Sequence, residues 1–337
     1  MARPYGLLRA GFPYLKSLGM RRITNFPVDL ALGKEGRIYI LNRQEGFVQI
    51  RKYTVDDEDQ GNFGTVGDGE GELQWPVSII ADSTETLFIS DEAHDNISSF
   101  NSDGEFLRLF GEHGSAEGQL NRPAGLAFDA DENILVVDSK NHRVQKFTKT
   151  GKFLSAFGSF GCDDGQFDSP WGITVDELGD IYVADWRNDR VQKFSSNGEF
   201  IMMFGKSGSA NGEFNRPTDV AVDLDGDIYV CDRGNNRVQQ FNAEARYVDK
   251  FIGDATLSKT GREYMMTNAA PNRIRDMSVL EPQKRLRQPR SIAIDSEGRL
   301  YITDTGSYRI QIYQKEAIHL EPHQFAPPMR SVTLHQE

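Results

Sequence analysis

Six histidines, two cysteines and one run of alternating aspartates are the groups in this chain that could do chemistry unaided. The histidines stand at 94, 113, 142, 319, 323 and 335, with no His-Glu-x-x-His or other short ligand pair among them. His94, His113 and His142 make the best metal case, because three imidazoles and a water form a catalytic zinc set when loops bring them together. Zinc is the one metal for which the sequence offers a ligand set, and no other cofactor is expected. Asp223-Leu224-Asp225-Gly226-Asp227 has the spacing that suits calcium, but the twelfth position is Gly234 where a bidentate Glu would be needed. Cys231 stands in a strand where the equivalent residues are Ala184, Val137 and Thr303, so it reads as packing, and Cys162 has no neighbouring base. No Gly-x-Ser-x-Gly, Walker loop or dinucleotide fingerprint occurs, and no catalytic residue is assigned.

What would position such groups is a repeat. A proline followed by an apolar alternation recurs at Pro27, Pro76, Pro123, Pro170, Pro217 and Pro289, at separations of 49, 47, 47, 47 and 72 residues, the length of one four-stranded propeller blade. Fifteen residues after each anchor comes Asn42, Asp91, Asp138, Asp185, Asp232 or Asp304. Five further, the last four copies place Arg143, Arg190, Arg237 and Arg309, where the first two have Phe47 and Asn96. In the third unit, residues 125–129, 134–137, 143–147 and 153–157 read as four short strands. Asp-x-x-Gly turns at Asp176, Asp223 and Asp295 close the first hairpin with a glycine able to take positive φ. A catalytic group is needed once and a blade fastener at every junction, so the repeated Asp and Arg are expected to be structural.

The expected fold is all-β, a six-bladed β-propeller of four-stranded antiparallel blades with its six units in residues 27–313. The tail 314–337 offers no good match for a fourth strand of the last unit. Tyr14-Leu15-Lys16-Ser17-Leu18-Gly19, in the N-terminal segment 1–26, matches Phe153-Leu154-Ser155-Ala156-Phe157-Gly158 and is expected to complete the last blade, closing the ring without an unpaired edge.

The stretches Pro170-Trp171-Gly172-Ile173-Thr174-Val175-Asp176, Ile181-Tyr182-Val183-Ala184-Asp185 and Asn188-Asp189-Arg190-Val191-Gln192-Lys193-Phe194 resemble NHL repeats. The resemblance covers six units and is strongest in the third to fifth. It implies a propeller but no single activity, since NHL propellers serve as protein-binding, RNA-binding and extracellular sensor modules and related propellers include lyases and lactonases. The histidine trio is similar, distantly, to the zinc ligands of peptidyl-hydroxyglycine amidating lyases, although here the histidines fall on loop tips.

Asp plus Glu total 50 against 38 Lys plus Arg, a net charge of −12, which disfavours a surface made to hold nucleic acid. Two cysteines cannot build a disulfide framework, and no apolar run is long enough for a signal sequence or a spanning helix. A cytoplasmic monomer that does not engage membranes is expected.

The 72-residue step locates an insertion within 254–288, with seven Lys and Arg, among them Arg262, Arg273 and Arg275, against four Asp and Glu. It should share one face with the loops between second and third strands, which carry Trp186, Arg187, Arg233 and Tyr308, and with Trp171 and Arg290, each next to its anchor proline. Trp, Tyr and Arg are the types enriched at binding hot spots. The opposite face should carry acidic hairpin turns. The sequence therefore points to a non-catalytic scaffold that binds an acidic protein or peptide through a basic, aromatic loop face. The alternatives are a metal-dependent lyase or hydrolase at the channel mouth, with Arg290 or Arg262 orienting an anionic substrate, and RNA binding through stacking on Trp171, Trp186 and Tyr308.

Overall fold

The alternation after each anchor proline builds an innermost strand: Pro27–Leu32, Pro76–Ala81, Pro123–Phe128, Ile173–Val175, Pro217–Val222 and Pro289–Ile294. Proline suits the start of an edge strand because it has no N–H to give to a ladder. In the computed structural model, which describes residues 6–20, 24–267 and 280–320, each innermost strand opens a four-stranded antiparallel sheet, and six such sheets surround an axis. The faces of neighbouring blades pack on one another. Leu41 and Ile50 of blade 1 meet Ile79, Ile89 and Phe100 of blade 2 in one cluster, and Val191 of blade 4 meets Val220, Val230 and Phe241 of blade 5 in another. Each such side chain, once buried, contributes about 2 kcal/mol. Among the described residues, no helix is long and apolar enough to cross a membrane.

The repeated Asp and Arg fasten each blade to the loop that precedes it. Asp185, fully buried, accepts the N–H of Asp168 at 2.8 Å through Oδ1 and the Nε–H of Arg190 at 2.9 Å through Oδ2. The same guanidinium donates to the carbonyls of Cys162, Asp163 and Gln166. Gln192 adds bonds to Asp185 and to the Gln166 carbonyl. Blades 3, 5 and 6 repeat this with Asp138, Arg143 and Gln145, with Asp232, Arg237 and Gln239, and with Asp304, Arg309 and Gln311.

Blade 1 differs in register from the sequence expectation. Its second and third strands, Arg37–Gln44 and Phe47–Thr54, join through Glu45 and Gly46 alone, so Asn42 pairs with Gln49 and Phe47 is not the counterpart of the arginines. In blade 2 the register holds, and Asn96 faces Asp91 in the arginine's seat.

The last blade takes its outer strand from the N-terminus: Tyr14–Leu18 pairs antiparallel with Arg309–Gln314. The tail supplies a further strand that the repeat did not announce. Glu316–Leu320 pairs with Gly6–Gly11 beneath the ring. The insertion docks on the outside of this closure. Thr256 accepts or donates a hydrogen bond with Tyr14, and in the helix Lys259–Thr267 the backbone and hydroxyl of Thr260 donate to Asp57 of blade 1.

Candidate functional site

Two register positions of the repeat line the axial passage and a third stands at its loop end, each with one residue per blade. One residue after the anchor come Val28, Val77, Ala124, Trp171, Thr218 and Arg290. Sixteen after the anchor, where the second strand turns over at the loop end, come Arg43, Glu92, Ser139, Trp186, Arg233 and Thr305. The mouth is therefore lopsided. Blades 5, 6 and 1 contribute Arg233, Arg290 and Arg43, blade 4 contributes both Trp171 and Trp186, and blade 2 contributes Glu92.

Arg43 is buried at 5% exposure, donates Nη1–H to the Pro76 carbonyl at 2.9 Å and lies 4.3 Å over the ring of Trp75. Arg290 faces Trp171 at 5.9 Å. Trp171 and Trp186 tilt together with ring centroids 6.2 Å apart, and Trp186 is flanked by Arg216 at 5.0 Å and Arg187 at 5.8 Å. Burial, with the charges of Arg43 and Arg233, pulls Arg290 down to about 9. Burial also pulls Arg43 down to about 10, although Glu92 and Asp91 oppose this. Both remain cations at neutral pH. Among the described residues, the guanidinium of Arg290 has no hydrogen-bond partner, and the buried Nε of Arg233 has none either.

Below the mouth the passage narrows to about 20 Å³ between Trp171, Thr218 and Arg290. It then opens into a cavity of about 250 Å³ walled by the inner strands. Two residues after the anchor, at the waist, come Asp29, Ser78, Asp219 and Ser291, with glycine in blades 3 and 4. Each side chain serves the next blade: Asp29 accepts the N–H of Ile79, Ser78 that of Leu126 and Asp219 that of Ile292. Ser291 donates to Asp29 at 2.5 Å. At Gly172 an added Cβ would fall 2.5 Å from the backbone of Thr218 and Asp219, so the close approach of blades 4 and 5 requires glycine there.

The structure brings Trp171, Trp186, Arg187, Arg233 and Arg290 to this face and adds Arg43, Trp75 and Arg216. Arg43 escaped the sequence reading because blade 1 lacks the Asp-to-Arg signature that marks the register elsewhere. Tyr308 sits at the junction of blades 6 and 1, edge-on to Phe26 at 4.7 Å. Arg262 is exposed on the insertion helix at the outer rim, with no contact to the mouth among the described residues. Arg273 and Arg275 lie outside the described residues.

The three histidines do not meet. His94 bonds Asp68 at 3.0 Å, His113 bonds Asp95 at 2.7 Å, and His142 accepts the N–H of Ser169 at 3.1 Å beside Phe160. His142 has the same duty as Asp95, Asp189 and Asn236, which accept the N–H of Arg122, Arg216 and Gln288 just before the next anchor proline. It is a loop fastener. Among the described residues, no three His, Cys, Asp or Glu side chains group as a metal site. The aspartates of the calcium-like turn are taken as well, Asp223, Asp225 and Asp227 by Lys315, Asp227 also by Arg9, and Asp225 also by His319.

The loop face also carries acidic groups beside its basic and aromatic ones. Asp68, Glu70, Glu112, Glu117, Asp163 and Asp164 are exposed on the inter-blade loops, so the basic, aromatic patch is confined to the mouth and its rim.

Among solved structures, the chain is similar to virginiamycin B lyase from Staphylococcus aureus, with a TM-score of 0.58 at 11% identity over 90% of this chain and 99% of that one. It is also similar to a protein of unknown function from Bacteroides thetaiotaomicron, at 0.60 and 18% over 91% and 72%, and to the WD40 propeller domain of Doa1, at 0.54 and 9% over 88% and 80%. At these identities the likeness is one of fold. A search of curated proteins finds no match. The NHL repeat family matches residues 120–147, 167–194, 214–241 and 286–313, which span the first three strands of blades 3 to 6 together with the end of the loop before each blade. With its six blades of one layout, the chain belongs to the NHL-repeat β-propellers.

Proposed function

We propose that this propeller is a non-catalytic interaction module, acting as a single chain, whose loop face receives an acidic segment of a protein or peptide. The observation that carries the reading is Trp186 standing between two exposed arginines, Arg187 and Arg216. The nearest carboxylate to Arg187 is that of Asp168, at 4.0 Å. Aromatic and guanidinium groups held together at a rim, with only this long ion pair between them and the protein's own carboxylates, suit an acidic partner and steer its approach. The repeated Asp, Arg and Gln, and the three loop histidines, are occupied in fastening blades, which supports binding over catalysis. Exposed, free Cys162 fits a reducing, cytoplasmic setting.

The test is fluorescence anisotropy of a labelled glutamate-rich peptide against the wild type and the Arg187→Glu/Arg216→Glu protein. The reversal should weaken binding about tenfold or more while Tm stays the same, because neither side chain is buried. Equal binding by both proteins, or preference for a labelled single-stranded RNA over the peptide, would overturn the reading.

A further inference from the structure

The rim explains why an acidic segment would settle on the loop face, but not why buried positive charge is gathered at the centre. Arg290 lines the narrow passage, Arg43 is 5% exposed, and the Nε of Arg233 is buried without a partner. These residues come from three consecutive blades around the axis. Arg43 is committed to the Pro76 carbonyl and to Trp75. Glu92, the acidic member of the same ring, is engaged on its outer side by Arg122 at 3.2 Å. Two guanidinium groups therefore remain without an acceptor. Like charges held in a desolvated mouth are unfavourable alone and become favourable when an anion sits between them.

We propose that the axial mouth is a socket for one carboxylate of the bound peptide, taken by Arg233 and Arg290 against the wall of Trp171. The proposal rests on reading the loop face as a peptide platform and specifies what that platform recognises. Three features select a carboxylate. A planar guanidinium matches a planar carboxylate through paired N–H donors. Glu92, across the mouth on blade 2, opposes a second negative charge, which disfavours a phosphate dianion. The passage beneath, about 20 Å³, admits no more than a water, so the group must stop at the arginines. A carboxylate can come from a chain end or from an Asp or Glu side chain, and the chemistry of capture is the same.

All three tryptophans of the chain, Trp75, Trp171 and Trp186, stand at this mouth, so intrinsic fluorescence reports on it directly. The probes are one glycine-serine peptide ending in leucine, offered as the free acid, as the C-terminal amide, and as the amide with one internal glutamate. The amide should leave the fluorescence unchanged, and at least one of the two carboxylate-bearing forms should shift it, which also identifies the source. Arg290→Gln and Arg233→Gln should each weaken that binding about tenfold or more. Both variants should keep or raise Tm, since each removes a like charge. If Arg290→Gln fails to fold, Arg233→Gln and Arg233→Lys decide the matter.

Equal response to amide and free forms, unchanged affinity in both glutamine variants, or stronger displacement by inorganic phosphate than by acetate would overturn the socket. Failure of the platform looks different: the glutamate-rich peptide would then bind wild type and Arg187→Glu/Arg216→Glu alike. If that peptide depends on the rim arginines but not on Arg233 or Arg290, the platform stands and the socket falls.

Discussion

Asp29 and Asp219 hold the same register position in blades 1 and 5, and each reaches across the waist to cap a backbone N–H of the following blade. Burial, then the charge of Asp29, pushes the carboxyl of Asp219 well above the ordinary aspartate range, against the N–H groups of Ile292 and Val220. Burial also raises Asp29, against its bonds from Ser291 and Ile79. A carboxyl whose pKa is higher folded than unfolded binds more protons in the folded state, so stability falls as pH rises from the ordinary aspartate range through the raised value. Asp219→Asn keeps an acceptor for Ile292 and carries no charge. It should raise Tm by about 2 °C at pH 7, with the gain vanishing toward pH 4. Calorimetric melts across that range check this, and parallel pH profiles for the two proteins would refute it. At this scale the mouth was partly legible. Trp171, Arg290, Trp186 and Arg233 stood out as binding hot-spot types placed beside an anchor proline or in a loop between second and third strands. The waist was not, because Asp29 and Asp219 alternate with Ser and Gly and only the closed ring shows that they serve one purpose.

The fasteners operate on whole strands and loops. Arg190 ties the third strand of blade 4 to the loop before that blade, and it is the direct counter-charge of Asp185, whose side chain has no exposed surface. Burial pushes the Asp185 carboxyl up, and the bonds of Asn188, the Asp168 N–H and Arg190 hold it down. Arg190→Ala leaves a buried carboxylate without its ion pair and should cost about 3 to 5 kcal/mol in urea unfolding. Asp185→Asn/Arg190→Ala should cost less than the single change, because the orphaned charge is gone; a double variant as weak as the sum of its singles would show that the pair does not act together. The 47-residue period made the strands readable, since a four-stranded blade leaves room for little besides strands and turns. Blade 1 misled the count because the tight Glu45-Gly46 turn shifts its pairing by two residues, and no residue type announces a register. The insertion was located by the broken period and read onto the loop face; among the described residues, the bonds of Thr256 to Tyr14 and Thr260 to Asp57 tie it to the rim at blades 6 and 1, a tertiary fact that composition does not carry.

On the scale of the molecule, the ring is held by two seams that differ in kind. One is the strand Tyr14–Leu18, which covers Ile310 and Ile312 of the last blade and gives its ladder a partner. The other is the pair Gly6–Gly11 and Glu316–Leu320, joined to blade 5 by charge. Lys315 contacts Asp223 at 2.5 Å, Asp225 at 2.7 Å and Asp227 at 3.1 Å, and Arg9 bonds Asp227. Burial opposes the Lys315 charge, yet the aspartates outweigh it and hold its ammonium above the usual range. The first seam was legible because it repeats the outer-strand pattern of other blades; the second, built from an unrepeated tail, was not. The two make different predictions. Removing residues 1–11 takes away the lower sheet and Arg9 but leaves the closing strand, so the ring should stay folded with a Tm lower by a few degrees, about 1 to 2 kcal/mol of lost pairing. Removing residues 1–20 strips the last blade of its outer strand and bares both an apolar face and a row of unpaired backbone groups. Blade stability in a closed ring depends on both neighbours, so this loss should lower Tm by roughly 10 °C or more and send the protein into oligomers as the free edge finds a partner. Melting curves and light scattering on the two truncations decide it. Equal melting of the longer truncation and the full chain would mean that the ring is held by blade packing alone and that the N-terminal strand is a passenger.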